Sequence, residues 1–224
     1  LDDIGQAPAV VQAALMQLLL ARQINGVKID DKVIFVAATN RREDKAGVTG
    51  VLSPVKSRFA AILELNVDPE IWIEWAFEND MPAALIGFVH FRPSLLSEAE
   101  TTNDIVNHPC PRTFAFAGKL MNLGITSQEV LAGAVGEGCA TELVGFMKVY
   151  KELPNINHIL LKPEEAPIPQ NPASLYAVVS ALVEKATEEN SKNIFTYGDR
   201  LPIDFNILLV RDLIRKCSKI QNTK

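Results

Sequence analysis

Val33-Ile34-Phe35-Val36-Ala37-Ala38-Thr39-Asn40 decides how the rest of the chain is read. It is a short run of β-branched and small apolar residues that stops at Thr-Asn and gives way to Arg41-Arg42-Glu43-Asp44. An unalternating apolar run of this length, bounded by polar residues, is expected to be a strand buried on both faces. Ligands of open α/β sheets gather at the carboxyl ends of such strands. Asn40 is therefore either a plain turn former or a polar group at a ligand site. Its company favours the second: Asp2-Asp3 lies upstream and Ser57-Arg58-Phe59 downstream.

Outward from that run, a helix is expected from about Pro8 to Arg22, with Val11, Leu15, Leu18 and Leu19 on one face. Asn25-Gly26 ends it and begins a hairpin whose outgoing arm is Val27-Lys28-Ile29. The turn falls at Asp30-Asp31, and Lys32 opens the returning arm. Ala46 to Gly50 reads as a Gly-bearing loop and Ser53 to Arg58 as a short helix. Phe59 to Val67 is expected to be a second buried strand.

From Asp68-Pro69 onward the composition turns helical. Asp68 caps, Pro69 starts, and Ile71, Trp72, Trp75 and Ala76 form an apolar face. Further helices are expected from Pro82 to Phe91, from Cys110-Pro111-Arg112 to Asn122, and from Ser127 to Tyr150 with a break near Gly136-Glu137-Gly138. Ser97 to Asn107 reads as a polar loop. Leu153 to Pro172, with five prolines, reads as an extended linker. Helices from Pro172 to Thr187 and from Phe205 to Lys216 close the chain.

Bulk properties narrow the classes. The 224 residues suit one large domain or two small ones, and 48% hydrophobic with 22% charged residues is ordinary for a soluble globular protein. No apolar run approaches the roughly 20 residues of a membrane span. A net charge of −5 disfavours broad nucleic-acid binding. Three scattered cysteines without C-x-x-C point to reduced thiols and a cytoplasmic location. Leu1-Asp2-Asp3 opens without Met and without the basic lead of a signal peptide, and is expected to be the interior of a longer protein. His108-Pro109-Cys110 offers two metal donors, which do not make a site.

Adjacent carboxylates at a strand end repel each other unless a cation sits beside them. Mg²⁺ held partly through water and bound to phosphates suits such a pair, the bland alternative being a solvated turn. Taken in order, Leu1-Asp2-Asp3, Ala38-Thr39-Asn40, Ser57-Arg58-Phe59 and Cys110-Pro111-Arg112 resemble four motifs of the AAA+ ATPases, closest to the MoxR-like group. They look like the end of Walker B, sensor 1, the arginine finger and sensor 2. The insertion Ile24 to Lys32 is also similar to one in that group. The resemblance covers residues 1 to 125.

It implies an α/β fold: part of a P-loop NTPase parallel sheet over 1–67, an all-α lid over 68–152, and a linker and helical extension over 153–224. It implies ATP and Mg²⁺ as cofactors, with Asp2 holding Mg²⁺ through water. Asp3 would orient or deprotonate the attacking water, Asn40 would help position it, and Arg112 would touch the γ-phosphate. Arg58 would act in the neighbouring subunit of a homo-oligomeric ring, expected to be a hexamer, that remodels a protein substrate or adaptor. Trp72 and Trp75 would be lid core. Arg41-Arg42 would be a solvated loop, contact with a neighbouring subunit being the lesser alternative.

Two features depart from the family. Asp3 stands where Glu is usual, one methylene shorter. No G-x-x-x-x-G-K-S or G-x-x-x-x-G-K-T occurs in the chain, so the phosphate-cradling loop is expected to lie upstream. Both departures also suit a rival reading: a non-enzymatic α/β-helical interaction module with a vestigial nucleotide site.

Overall fold

Helix dominates the chain, and its helices begin where capping residues and prolines fix their first turns. The computed structural model describes residues 1–41, 50–97 and 104–222, and the side chains of 1–41, 50–97 and 104–217. The expected loop residues 46–49, Arg42 and residues 98–103 lie outside this set. The chain divides into two units, Leu1–Asn66 and Val67–Lys224.

In the first unit, α1 (Ala9–Ala21) follows Pro8, which sits at the N-cap. Gln12 is the buried polar residue of this helix. Its Nε2 donates to the carbonyls of Ala7 and Gly50, both at 3.0 Å, and its Oε1 accepts from the Leu52 amide at 2.9 Å. One amide side chain thereby ties α1 to the segment that enters α2 (Ser53–Lys56). After α1, β1 (Gln23–Ile24) pairs antiparallel with β2 (Val27–Lys28). The turn is Asn25-Gly26, both at positive φ (48° and 80°), as a two-residue primed hairpin turn requires. The expected turn at Asp30-Asp31 is thus displaced: Asn-Gly closes the hairpin, and Arg22 reaches past it. The Arg22 guanidinium donates to the Asp30 and Val33 carbonyls (2.8 and 2.6 Å) and lies over the Phe35 ring.

The expected parallel sheet does not form. Helix accounts for 59% of the chain, and the two-residue antiparallel pair is the only sheet among the described residues. Residues 33–40 form neither helix nor strand, and Ile34 is 84% exposed with Val36 exposed as well. Along Phe59 to Val67, Ile62, Leu63 and Leu65 project into solvent, Leu65 at 97%. The amides of Ile62 to Asn66 make no backbone hydrogen bond to a described residue. The physical reason is that an apolar run records a preference for burial and says nothing of which segments supply the flanking edges. No described segment supplies them here.

Among its described residues the second unit is helical: α3 (Pro69–Glu78), α4 (Ala83–Phe91), a 3₁₀ turn (Pro93–Ser97), α5 (Pro111–Asn122), α6 (Gln128–Val135), α7 (Glu137–Lys151), α8 (Ile156–Leu161), α9 (Pro172–Lys185), α10 (Ser191–Gly198) and α11 (Ile203–Asn222). Asp68 caps α3 by accepting from the Glu70 amide at 2.8 Å, and Asn171 caps α9 through the Ser174 amide at 2.8 Å. Gly136, at φ 82°, breaks α6 from α7 where the glycines placed the interruption.

α4 and α9 are apolar nearly all round and form the centre. A Cβ on Gly87 would fall 2.6 Å from Ser180 Oγ, so the glycine is what lets the two helices approach. One core cluster gathers α3 to α7 around Phe88, Phe114, Leu131 and Leu143. A second gathers α8, α10 and α11 around Ile159, Ile194, Tyr197 and Leu209. Ala177 of α9 belongs to the first, and Val178, Val179 and Leu182 to the second. The proline-rich stretch carries α8, and its Ile159 and Ala166 are buried. Trp72 is buried core and donates its indole N–H to the Pro111 carbonyl at 3.0 Å, while Trp75 packs half-buried against it.

Candidate functional site

Three backbone hydrogen bonds bring the first carboxylates to the end of the apolar run. The Leu1 nitrogen donates to the Val36 carbonyl (2.8 Å), the Ala38 amide to the Leu1 carbonyl (2.9 Å), and the Ile4 amide to the Ala38 carbonyl (3.1 Å). The first two are the reciprocal pair of a parallel-type contact between Leu1 and residues 36–38. They set Asp2-Asp3 beside Thr39-Asn40 at one end of two neighbouring segments.

Asp2 Oδ1 accepts from the Asp3 amide at 3.1 Å. Asp3 adopts φ 51°, a left-handed conformation that Asp tolerates, and its carbonyl accepts from the Gln6 amide at 2.9 Å to close the turn. Behind this turn Ile4 is buried, while Asp2, Asp3, Thr39 and Asn40 are exposed. Thr39 Oγ1 donates to the Asn40 carbonyl (3.1 Å), and the Asn40 amide side chain has no partner among the described residues. Two carboxylates and an amide side chain are hard oxygen donors of the kind that magnesium held partly through water takes. Among the described residues no group of three or more His, Cys, Asp and Glu side chains converges.

Arg58 follows α2 and folds back on it. Its Nη1 donates to the Pro54 carbonyl, which also accepts from Ser57 Oγ at 3.0 Å. The Arg58 Nε is buried without a partner among the described residues. One guanidinium donor is thus spent locally. In the second unit, Arg112 occupies the first turn of α5, exposed and without a side-chain partner among the described residues. The turn beneath it is rigid: Thr113 Oγ1 accepts from the Cys110 amide (2.9 Å) and donates to the His108 carbonyl (2.9 Å). A cation gains nothing from a helix start, so Arg112 there is open to an anion.

A buried polar cluster in the second unit has no counterpart among the sequence expectations. His90 Nε2 donates to Asp212 Oδ2 at 2.8 Å, with the Asp212 side chain 0% exposed. Asp212 Oδ1 accepts from Arg215 (3.1 Å), and Arg215 donates on to Glu70 (2.9 Å). Burial works to lower the Arg215 pKa, but the Glu70 and Asp212 carboxylates outweigh it and raise it. Lys216 runs the other way: burial lowers its pKa, opposed by Glu184. Its ammonium donates to the Val183, Glu184 and Ala186 carbonyls at the end of α9. A signal was present: His90 is the one ionisable residue in Ala83-Ala-Leu-Ile-Gly-Phe-Val-His-Phe91, and a polar group in such a helix requires a partner.

Among the described residues, Cys110, Cys139 and Cys217 form no disulfide. No helix among the described residues is long and apolar enough to cross a membrane. No family model, curated protein or solved structure matches the chain.

Proposed function

We propose that this chain serves an AAA+-type ATPase of the MoxR-like kind, coupling ATP hydrolysis to remodelling of a protein partner. The observation that carries the reading is the juxtaposition of Asp2-Asp3 with Asn40 through the bonds from Leu1 and Ile4 to Val36 and Ala38. The reading rests on that pair and not on a parallel sheet.

Phosphoryl transfer is mainly positioning and charge neutralisation. Mg²⁺, when bound, offsets phosphate charge. Asp2 is the residue to hold it through water. Asp3 accepts the proton of the attacking water or orients it, and Asn40 positions that water. Asp3 reaches one methylene less far than Glu, so turnover is expected to be slow. Arg112, at the start of α5 and without a side-chain partner among the described residues, is available to a phosphate. Arg58 supplies its unspent donors to a neighbouring subunit of a homo-oligomeric ring, hexameric by the same resemblance. Cysteines without a disulfide among the described residues suit a cytoplasmic setting.

The rival, a non-enzymatic interaction module, has one observation in its favour: the 224 residues contain no phosphate-cradling G-x-x-x-x-G-K-S/T loop. The test is therefore made on the native protein with whatever sequence its gene places ahead of Leu1. The expected result is ATPase activity that Asp3→Asn lowers by about 10²-fold or more with nucleotide binding retained, since an amide accepts no proton. Absence of ATPase activity in the wild type, or an unchanged rate in Asp3→Asn, rejects the reading.

A further inference from the structure

α11 is apolar on two sides. Its inner side buries Leu208, Leu209, Asp212 and Leu213 in the second core cluster and its polar neighbour. Its outer side exposes Ile203, Ile207, Val210 and Ile214, Ile207 at 59%. Their intervals of 4, 3 and 4 residues are the spacing of a coiled-coil seam. A surface helix that only packs inward has no need of a second stripe, and branched residues at seam spacing are the chemistry of helix pairing.

We propose that this outer seam pairs with the same seam of a second copy of the chain, antiparallel, about a two-fold axis. The first argument is self-complementarity. The intervals 4-3-4 read the same in both directions, so reversing one helix sets Ile203 opposite Ile214 of the second copy and Ile207 opposite its Val210. An antiparallel isologous contact uses that match. The second argument is charge. Asp204 and Arg211 flank the seam on one side, seven residues apart, and Asp204 has no partner among the described residues. In the antiparallel pair Asp204 of each copy lies beside Arg211 of the other, twice by symmetry. In a parallel pair Arg211 would face the uncharged Asn206 instead. Arg211 already contacts Glu70 at 3.0 Å, which holds its side chain on that flank.

The seam from Ile203 to Ile214 is about 16 Å long, so the contact is smaller than a standard interface of roughly 1,600 Å² and belongs to the weak, exchanging class. It needs no nucleotide and does not rest on the ATPase reading: loss of either property with the other intact separates the two.

Sedimentation equilibrium of the intact chain without nucleotide is the test. A monomer–dimer equilibrium with a dissociation constant of about 1–100 μM is expected. Ile207→Lys should weaken it at least about tenfold by burying two ammonium groups at the seam. Circular dichroism and melting temperature should be unchanged, because Ile207 is exposed. A monomer at every concentration up to about 500 μM overturns the proposal. So does a dimer that Ile207→Lys leaves intact, which assigns the contact to another surface. Orientation is read from Cys217, the next seam position and exposed. Antiparallel pairing sets the two Cys217 residues about 25 Å apart along the axis, beyond disulfide reach. Copper-catalysed oxidation should therefore give no dimer that Cys217→Ser removes. Efficient Cys217–Cys217 linkage overturns the antiparallel arrangement.

Discussion

Residues 33–40 and 60–66 of the first unit are as apolar as α4 and α9 of the second, yet one pair of segments is largely in solvent and the other pair is the core. Leu65 is 97% exposed; Phe88 is fully buried. The difference is in what each kind of segment needs. A helix satisfies its own backbone, so α4 is buried as soon as one apolar neighbour covers it, and Gly87 over Ser180 allows α9 to do so closely. An extended run leaves every amide and carbonyl for a neighbour, and burial waits on edges that come from elsewhere in a chain or from another one.

Hydrogen exchange probes this contrast with the largest expected effect. The amides of residues 178–182 and 86–90 should exchange at least about 10³-fold more slowly than those of residues 62–66, relative to free-peptide rates, because core helices open only near global unfolding. Equal protection in the two regions would break the comparison.

Mutation to alanine is the next largest. Phe88→Ala should cost about 3–5 kcal/mol through lost burial and a residual cavity. Leu65→Ala should change stability by less than about 0.5 kcal/mol. Chemical denaturation of the two variants measures the gap, and similar losses would show that the 60–66 run is packed.

The smallest effect sharpens the energetics of the helical unit at high pH. Burial raises the Tyr150 pKa, helped by the charge and hydrogen bond of Glu184. Burial raises that of Tyr197 too, opposed by Arg200. Above pH 10 the unfolded chain ionises these phenols while the folded chain keeps them neutral, so stability falls as pH rises through that range. Lys216 opposes the trend. Its pKa is depressed on folding, so between that lowered value and 10.5 the unfolded state holds more protons, and this group alone makes stability rise with pH. Well above 10.5 the amine is deprotonated in both states and the phenols alone set the slope. Melting temperatures should therefore fall as pH rises beyond 10.5, and Tyr150→Phe should flatten the slope.

Helix starts are legible in the sequence because they are local. Asp68-Pro69, Cys110-Pro111 and Pro172 behave as written, and Gly136 breaks α6 from α7. The hairpin turn lies at Asn25-Gly26, the stronger signal, and not at Asp30-Asp31; those two carboxylate residues instead meet Arg22 and Lys32. α8 and α10 are hidden by the prolines and polar residues around them. The parallel sheet fails for a different reason: Ile34 and Leu65 announce a need for partners without saying whether the chain holds them. The same holds for Gln12, which meets Gly50 and Leu52 some forty residues away, and for His90, whose partner Asp212 lies 122 residues on. Of the candidate site, the structure adds the backbone bonds of Leu1 and Ile4 to Val36 and Ala38, while the roles of Asp2, Asp3 and Asn40 are read from the motif order alone. The fold-back of Arg58 onto Pro54 has no counterpart in the sequence.

In the proposed ATPase, Asp3 acts within its own subunit while Arg58 acts in the next. The most direct test is the ATPase rate of the native protein when an Arg58→Ala form and an Asp3→Asn form are mixed after subunit exchange. Each alone should be nearly inactive, Arg58→Ala losing about 10³-fold or more if it supplies an arginine finger. Mixtures should recover activity, greatest near equal proportions, because an intact Asp3 then meets a neighbour's intact Arg58. If exchange is demonstrated and no mixture exceeds the two parents, the division of roles between subunits is contradicted and Arg58 is a same-subunit residue tied to Pro54.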